Sequence, residues 1–153
     1  MSEEDLFDVE PDPFSAPAQV VDVRLEPVPA AAADEVPPTH FGSADEWVRK
    51  FLLPSYRRRV TAKGQNGGER WAAQWWGSIE ALTRIEALWR MWEEVRMNPA
   101  DLSAYWISHL DVHMKVLLSH TGPFATSTDE NRAGDMLPYT APPTGMFPPD
   151  HRG

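Results

Sequence analysis

Residues 78–97 read SIEALTRIEALWRMWEEVRM, and no other stretch constrains the fold as tightly. Leu82, Ile85, Leu88, Trp89, Trp92 and Val95 recur at intervals of three and four. That spacing lines one face of an α-helix, whereas a strand needs a period of two. Glu80 with Arg84 and Glu86 with Arg90 form acid-first pairs one turn apart, each worth about 0.2–0.5 kcal/mol. Glu93 and Glu94 adjoin the apolar stripe and are expected to point outward. No segment of the chain alternates with period two, so an all-α domain is the expectation.

The neighbours of this helix carry start and stop signals. In SADE, Ser43 is placed to cap a first helix, with Glu46 three residues on able to reach back in a capping box. Trp47, Phe51 and Leu52 then fall at i, i+4 and i+5 as its buried stripe. Pro54 lacks the donor that residue 50 requires, which predicts a kink or two short helices, the second bearing Tyr56 and Arg57 to Arg59. TAKGQNGGE, residues 61–69, reads as a flexible loop by its glycines. After the long helix, Asn98 and Pro99 restart a third one through Leu102, Tyr105, Trp106 and His109. A break near Asp111 would leave Val112 to Leu118 as a last helix. The expected architecture is a small three- to four-helix domain over residues 43–122.

Charge separates that domain from its flanks. Residues 1–40 hold ten acids against Arg24 alone, while from residue 41 onward thirteen acids meet thirteen bases. The chain's net charge of −9 therefore belongs to the N-terminal flank. Residues 1–42 also carry seven prolines and the run Ala30 to Ala33, and without a sustained apolar period they read as a disordered acidic tail. Residues 123–153 are again broken by proline and read as a second disordered tail. An alternative stays open there: Tyr139, Met146 and Phe147, set among prolines, suit a short extended docking segment with little entropy left to lose on binding. The acidic, proline-broken start is unlike a signal peptide, and no run approaches the roughly 20 apolar residues of a membrane span. A cytoplasmic protein is expected, and the absence of cysteine excludes disulfides and thiolate chemistry.

RWAAQWW, residues 70–76, concentrates three of the seven tryptophans. Some 80 folded residues have a poor surface-to-volume ratio, and large rings fill a thin core efficiently. Trp47, Trp89, Trp92 and Trp106 lie on inward stripes. Trp71 and Trp75 are one turn apart, but adjacent Trp75 and Trp76 point about 100 degrees apart on a helix, so one of these three is expected at the surface.

WAAQWW, IEALTRIEALWRMWEEVRMNP and YWISHLDVHMKVLLSHTGPF, in that order, resemble a Trp-rich actinobacterial family known only as domain of unknown function 4913. The resemblance covers roughly residues 45–124, and LPSYRRR matches the family's usual start. Around Asp111 that family often reads Asp-Pro-His, where this chain has Val112, a departure that softens the expected helix break. The resemblance implies a small protein often encoded on plasmids and integrative conjugative elements, and it carries no catalytic residue across.

Three constellations bear on function. Between residues 49 and 70, Arg49, Lys50, Arg57, Arg58, Arg59, Lys63 and Arg70 face Glu69 alone, a charge that suits phosphate while nearby rings stack on bases. The net-neutral domain lacks the basicity of dedicated DNA binders, and no helix-turn-helix or zinc-finger spacing is visible. His109 and His113, four apart, with Asp111 between them, are weak metal candidates, since the Glu of HExxH is missing. No spacing supplies an acid and base pair, and GQNGGE lacks the lysine and serine of a phosphate loop. No catalytic residue and no cofactor are implied. The expectation is a non-enzymatic interaction or adapter module for an unidentified protein partner, with nucleic-acid binding as the alternative. Its contact residues are expected among Arg57, Arg58, Arg59, Lys63, Arg70, Trp71, Trp75 and Trp76.

Overall fold

A computed structural model describes residues 38–65 and 67–150. The expected acidic tail lies, up to residue 37, outside the described residues. Three helices carry the described part, with no strand beyond an isolated bridge between Val60 and Glu69. Helix α1 spans 44–55, α2 spans Ile79–Val95, and α3 spans 102–117. The all-α expectation therefore stands, with three helices.

Ser43 caps α1 as expected, its hydroxyl accepting the Glu46 amide at 3.1 Å. The Glu46 carboxylate reaches back one residue further than a capping box requires, to the Gly42 amide at 3.0 Å. Beyond Trp47 the helix widens into a π turn over Val48–Leu52, and the Leu53 amide donates to the Val48 carbonyl. Pro54 follows at once. It cannot donate to the Lys50 carbonyl and its ring crowds it, and a wider turn relieves that crowding without breaking the helix. The expected second helix through Tyr56 and the arginine triplet is absent: Arg57 to Arg59 run as irregular chain, because nothing restarts the helix after the proline.

Helix α3 repeats the device without a proline. Leu102–Tyr105 passes into a π turn over Trp106–Leu110, closed by the Asp111 amide on the Trp106 carbonyl, and Asp111–Leu117 continues as α-helix. The expected break at Asp111 thus becomes an inserted residue, and the expected last helix is the second half of α3. The insertion sets which residues face inward. Trp47 and Leu52, and likewise Tyr105 and Leu110, are five apart and all at most 1% exposed. An ordinary α-turn would rotate such partners about 140 degrees apart.

The core closes around α2, whose Ala81, Ile85, Leu88 and Trp89 are buried against Trp47, Leu52, Tyr105, Leu110, Met114 and Leu117. The two acid-first pairs form on its outer face, at 3.2 Å for Glu80 and Arg84 and 3.3 Å for Glu86 and Arg90. Tyr105 sends its hydroxyl to the Leu88 carbonyl at 2.7 Å, so this buried phenol joins α3 to α2, and burial pushes its pKa up.

The division expected at residue 123 is corrected by the C-terminal segment. Residues 123–150 are irregular, as their prolines require, but they do not leave the domain. Phe124 and Leu137 enter the core at 3% and 2% exposure. Asn131 stitches the chain to the arginine segment, accepting the Val60 amide at 2.8 Å and donating to the Arg58 carbonyl at 2.9 Å. At the other flank, residues 38–42 are also seated, with Phe41 buried.

Candidate interaction surface

Helix α1 and the loop that joins it to α2 place the basic residues, and the structure divides them. Arg49 is paired with Asp45 and Lys50 with Glu46 along α1. Arg70 is buried at 5% exposure and works as an internal clamp, donating to the Thr61 hydroxyl at 2.6 Å and the Gln65 carbonyl at 3.2 Å. Burial and these bonds remove Arg70 from the expected contact set. Gly68 lies beside that clamp with φ +106, where a Cβ would stand 2.7 Å from the Thr61 hydroxyl oxygen. Arg57, Arg58, Arg59 and Lys63 stay exposed, and none of the four is in an ion pair among the described residues. Acids stand near them: Arg59 and Gln65 share an open cleft with Glu130, Arg132 and Asp135. The cationic surplus of six in the sequence therefore shrinks to four residues beside a mixed-charge wall.

Of the three tryptophans named as candidate contacts, one of which was expected at the surface, Trp71 and Trp75 are fully buried and Trp76 is half-buried. The chain leaves Arg70 as irregular backbone and reaches a short 3-10 turn at Trp75–Gly77, so α-helix geometry does not set the three rings. Two indole N–H groups are used by the C-terminal segment: Trp71 donates to the Pro138 carbonyl at 2.9 Å and Trp76 to the Thr140 carbonyl at 3.0 Å.

The rings that reach solvent form a different group. Phe51, Trp92 and Trp106 are half-buried, because the π turns place Leu52 and Leu110 inward and leave Phe51 and Trp106 at the groove between helices. Trp92 touches Phe41 and Phe51 at centroid distances of 4.9 and 5.4 Å, with exposed His40 at 5.6 Å. Phe51 meets Trp106 edge-on at 6.4 Å, and Tyr56 stacks on Trp106 at 6.0 Å with planes 16° apart. The guanidinium of Arg58 covers the Tyr56 ring at 4.1 Å, a cation–π contact. An unbroken seam thus runs from His40 to Arg58 across three segments of the chain. The Tyr56 hydroxyl donates to Asp111 at 3.2 Å, and burial, opposed by Arg58 and aided by Asp111, raises its pKa.

The seam's end at residue 40 is fixed by Glu93. Far from pointing outward, its side chain is 9% exposed and accepts the His40 and Phe41 amides at 2.8 and 2.9 Å. Trp89 and Arg96 donate to the same carboxylate at 3.2 and 2.8 Å. Sequence reasoning missed this residue because its partners lie 52 and 53 positions away. The one local sign was an acid four residues after Trp89.

The weak metal candidates are each engaged with other partners. Asp111 serves Tyr56, His113 shares a 3.0 Å hydrogen bond between its Nδ1 and Arg84, and His109 packs on the Tyr105 ring at 6.2 Å. Burial, then the charge of Arg84 and then His109, lower the His113 pKa, an environment that disfavours a further cation. Among the described residues no group of three or more His, Asp or Glu is arranged to hold a metal ion. No described helix is long and apolar enough to cross a membrane.

A family model described as Domain of unknown function (DUF4913) matches residues 41–146, a span that takes in the C-terminal segment beyond the roughly 45–124 of the sequence resemblance. No curated protein and no solved structure matches the chain.

Proposed function

The chain belongs to the DUF4913 family, and from that premise we propose that it is a non-enzymatic adapter module that docks a partner protein on the seam from His40 to Arg58. The observation that carries this reading is the continuity of half-exposed rings Trp92, Phe51 and Trp106, ended by a cation on an aromatic face. Interface centres favour such aromatic and arginine anchors, because they offer much contact area for little rotamer entropy. A cytoplasmic setting and an accessory role on an actinobacterial mobile element belong to the same proposal.

Co-purification from the native host with nuclease treatment tests it. A protein partner retained in roughly 0.5 M salt, where exposed charge pairs are screened, and lost with Trp106→Ala, is the expected result. A partner indifferent to Trp106→Ala and Phe51→Ala overturns the assignment of the surface.

Nucleic-acid binding is the second reading, favoured by Arg57, Arg58, Arg59 and Lys63, which are exposed and in no ion pair among the described residues. Four such cations limit the salt slope on B-DNA to about −3.6 in log K per log salt. Binding that collapses between low and moderate salt and requires the arginine triplet selects this reading over the adapter.

A further inference from the structure

The tryptophan run and the C-terminal prolines meet in a way the seam does not use. Residues 137–150 read LPYTAPPTGMFPPD, with five prolines that cannot donate and an irregular course whose backbone carbonyls are left to accept from neighbours. Two of those carbonyls, of Pro138 and Thr140, each accept an indole N–H, from Trp71 and Trp76. The Thr140 amide donates to the Ala73 carbonyl at 3.0 Å, so backbone pairs with backbone. Leu137 fills a buried slot, the Tyr139 hydroxyl donates to Asp45 at 2.7 Å, and Phe147 covers Trp75 at 5.4 Å. Indole donors to carbonyls, an apolar slot and ring contacts are the means by which aromatic grooves read extended proline-rich peptides.

We propose that this groove is a peptide-binding site, and that the chain's own segment occupies it as an intramolecular ligand. The class of ligand is an extended peptide of the pattern Leu-Pro-aromatic-Thr followed within a few residues by proline, the pattern of residues 137–143. Two observations argue that the resident segment can yield. Beyond Leu137 no residue of the segment is buried, and it has no regular backbone ladder of its own, the conditions under which a segment opens locally. It is also an incomplete ligand: the buried indole N–H of Trp75, under Phe147, has no acceptor among the described residues. The resident segment competes at high effective concentration, so a peptide arriving from another molecule binds tightly only when the resident is loosened. This site is independent of the adapter surface, and failure of either leaves the other standing.

The test uses the full chain and a fluorescent synthetic peptide of residues 136–150, read by anisotropy. The double variant Tyr139→Ala with Phe147→Ala, verified as helical by circular dichroism, is expected to bind the peptide at least about tenfold tighter than the native chain. Adding Trp76→Phe, which keeps an aromatic ring, though a smaller one, and removes the indole N–H, should weaken that binding, and a scrambled peptide should not bind. Equal affinity in native and loosened chains, or indifference to Trp76→Phe, overturns the proposal. So does a loosened chain that dimerises by segment exchange and ignores added peptide, which would assign the groove to a second copy. Hydrogen exchange on the native chain decides the matter should the double variant not fold. The Thr140 amide is expected to exchange at least about tenfold faster than the α2 amides of Ile85 and Leu88, and equal protection excludes an opening groove.

Discussion

At Glu93 one carboxylate holds two backbone amides, an indole and a guanidinium. Burial favours its protonated form, but the amides of Phe41 and His40, then Arg96 and Trp89, outweigh burial and hold its pKa below the ordinary 4.5. With the folded value below the unfolded one, its stabilisation is complete above about pH 4.5 and is lost as pH falls through the folded value. Glu93→Gln keeps the shape and removes the charge. It should cost about 1.5–3 kcal/mol at neutral pH, and denaturant curves repeated towards about pH 3 should show the gap to the native chain closing. A gap that persists unchanged at acid pH would point to packing and not charge. Gly122 is a second residue whose constraint is local: a Cβ there would stand 2.3 Å from the Val116 carbonyl oxygen. Gly122→Ala therefore displaces backbone at the end of α3, at a cost of roughly 1–3 kcal/mol in chemical denaturation.

Among the elements, the π turns decide which faces are core and which are surface. The sequence already held the ambiguity, since Trp47 has apolar residues both four and five positions on, Phe51 and Leu52. Only the wider turn selects Leu52 for the core, and no local signal announces it in α3, where Trp106 at the start of the π turn meets Phe51 and Tyr56. That is why the long amphipathic α2 was legible from its period alone, whereas the seam was not. Its rings belong to three segments that meet only after packing. A pair of alanine substitutions checks the phase of α3. Leu110→Ala should cost roughly 2–5 kcal/mol as a core deletion, and Ile107→Ala, 67% exposed, should stay within about 0.5 kcal/mol. Equal losses would mean the helix is not wound as described. The tie between α1 and α3 is weaker. Tyr56→Phe removes only the hydroxyl bond to Asp111 and should cost about 0.5–1.5 kcal/mol, leaving the stack on Trp106 intact by near-ultraviolet circular dichroism.

For the whole molecule, composition misled at the C-terminal side because proline excludes helix and ladder but not burial. Leu137, Tyr139 and Phe147 are spaced widely enough to anchor an irregular segment, and their partners, Asp45, Trp71, Trp75 and Trp76, lie some 60 to 95 residues earlier. A chain ending after Met136 should lose roughly 3–5 kcal/mol through Leu137 and the two indole bonds. Calorimetry is expected to show a midpoint lower by more than about 10 °C, with tryptophan emission shifted to the red, where a free tail would leave both unchanged. Within the tryptophan cluster, the division between buried Trp71 and Trp75 and half-buried Trp76 is thus set together with a distant part of the chain. There is also a consequence in time. Translation delivers Trp71 and Trp76 some 60 or 70 residues before the stretch that covers them, so at roughly 5–20 residues per second the nascent protein carries bare indoles for several seconds. During that interval a chaperone, or a neighbouring chain on the same messenger, meets a hydrophobic face that the finished molecule no longer shows.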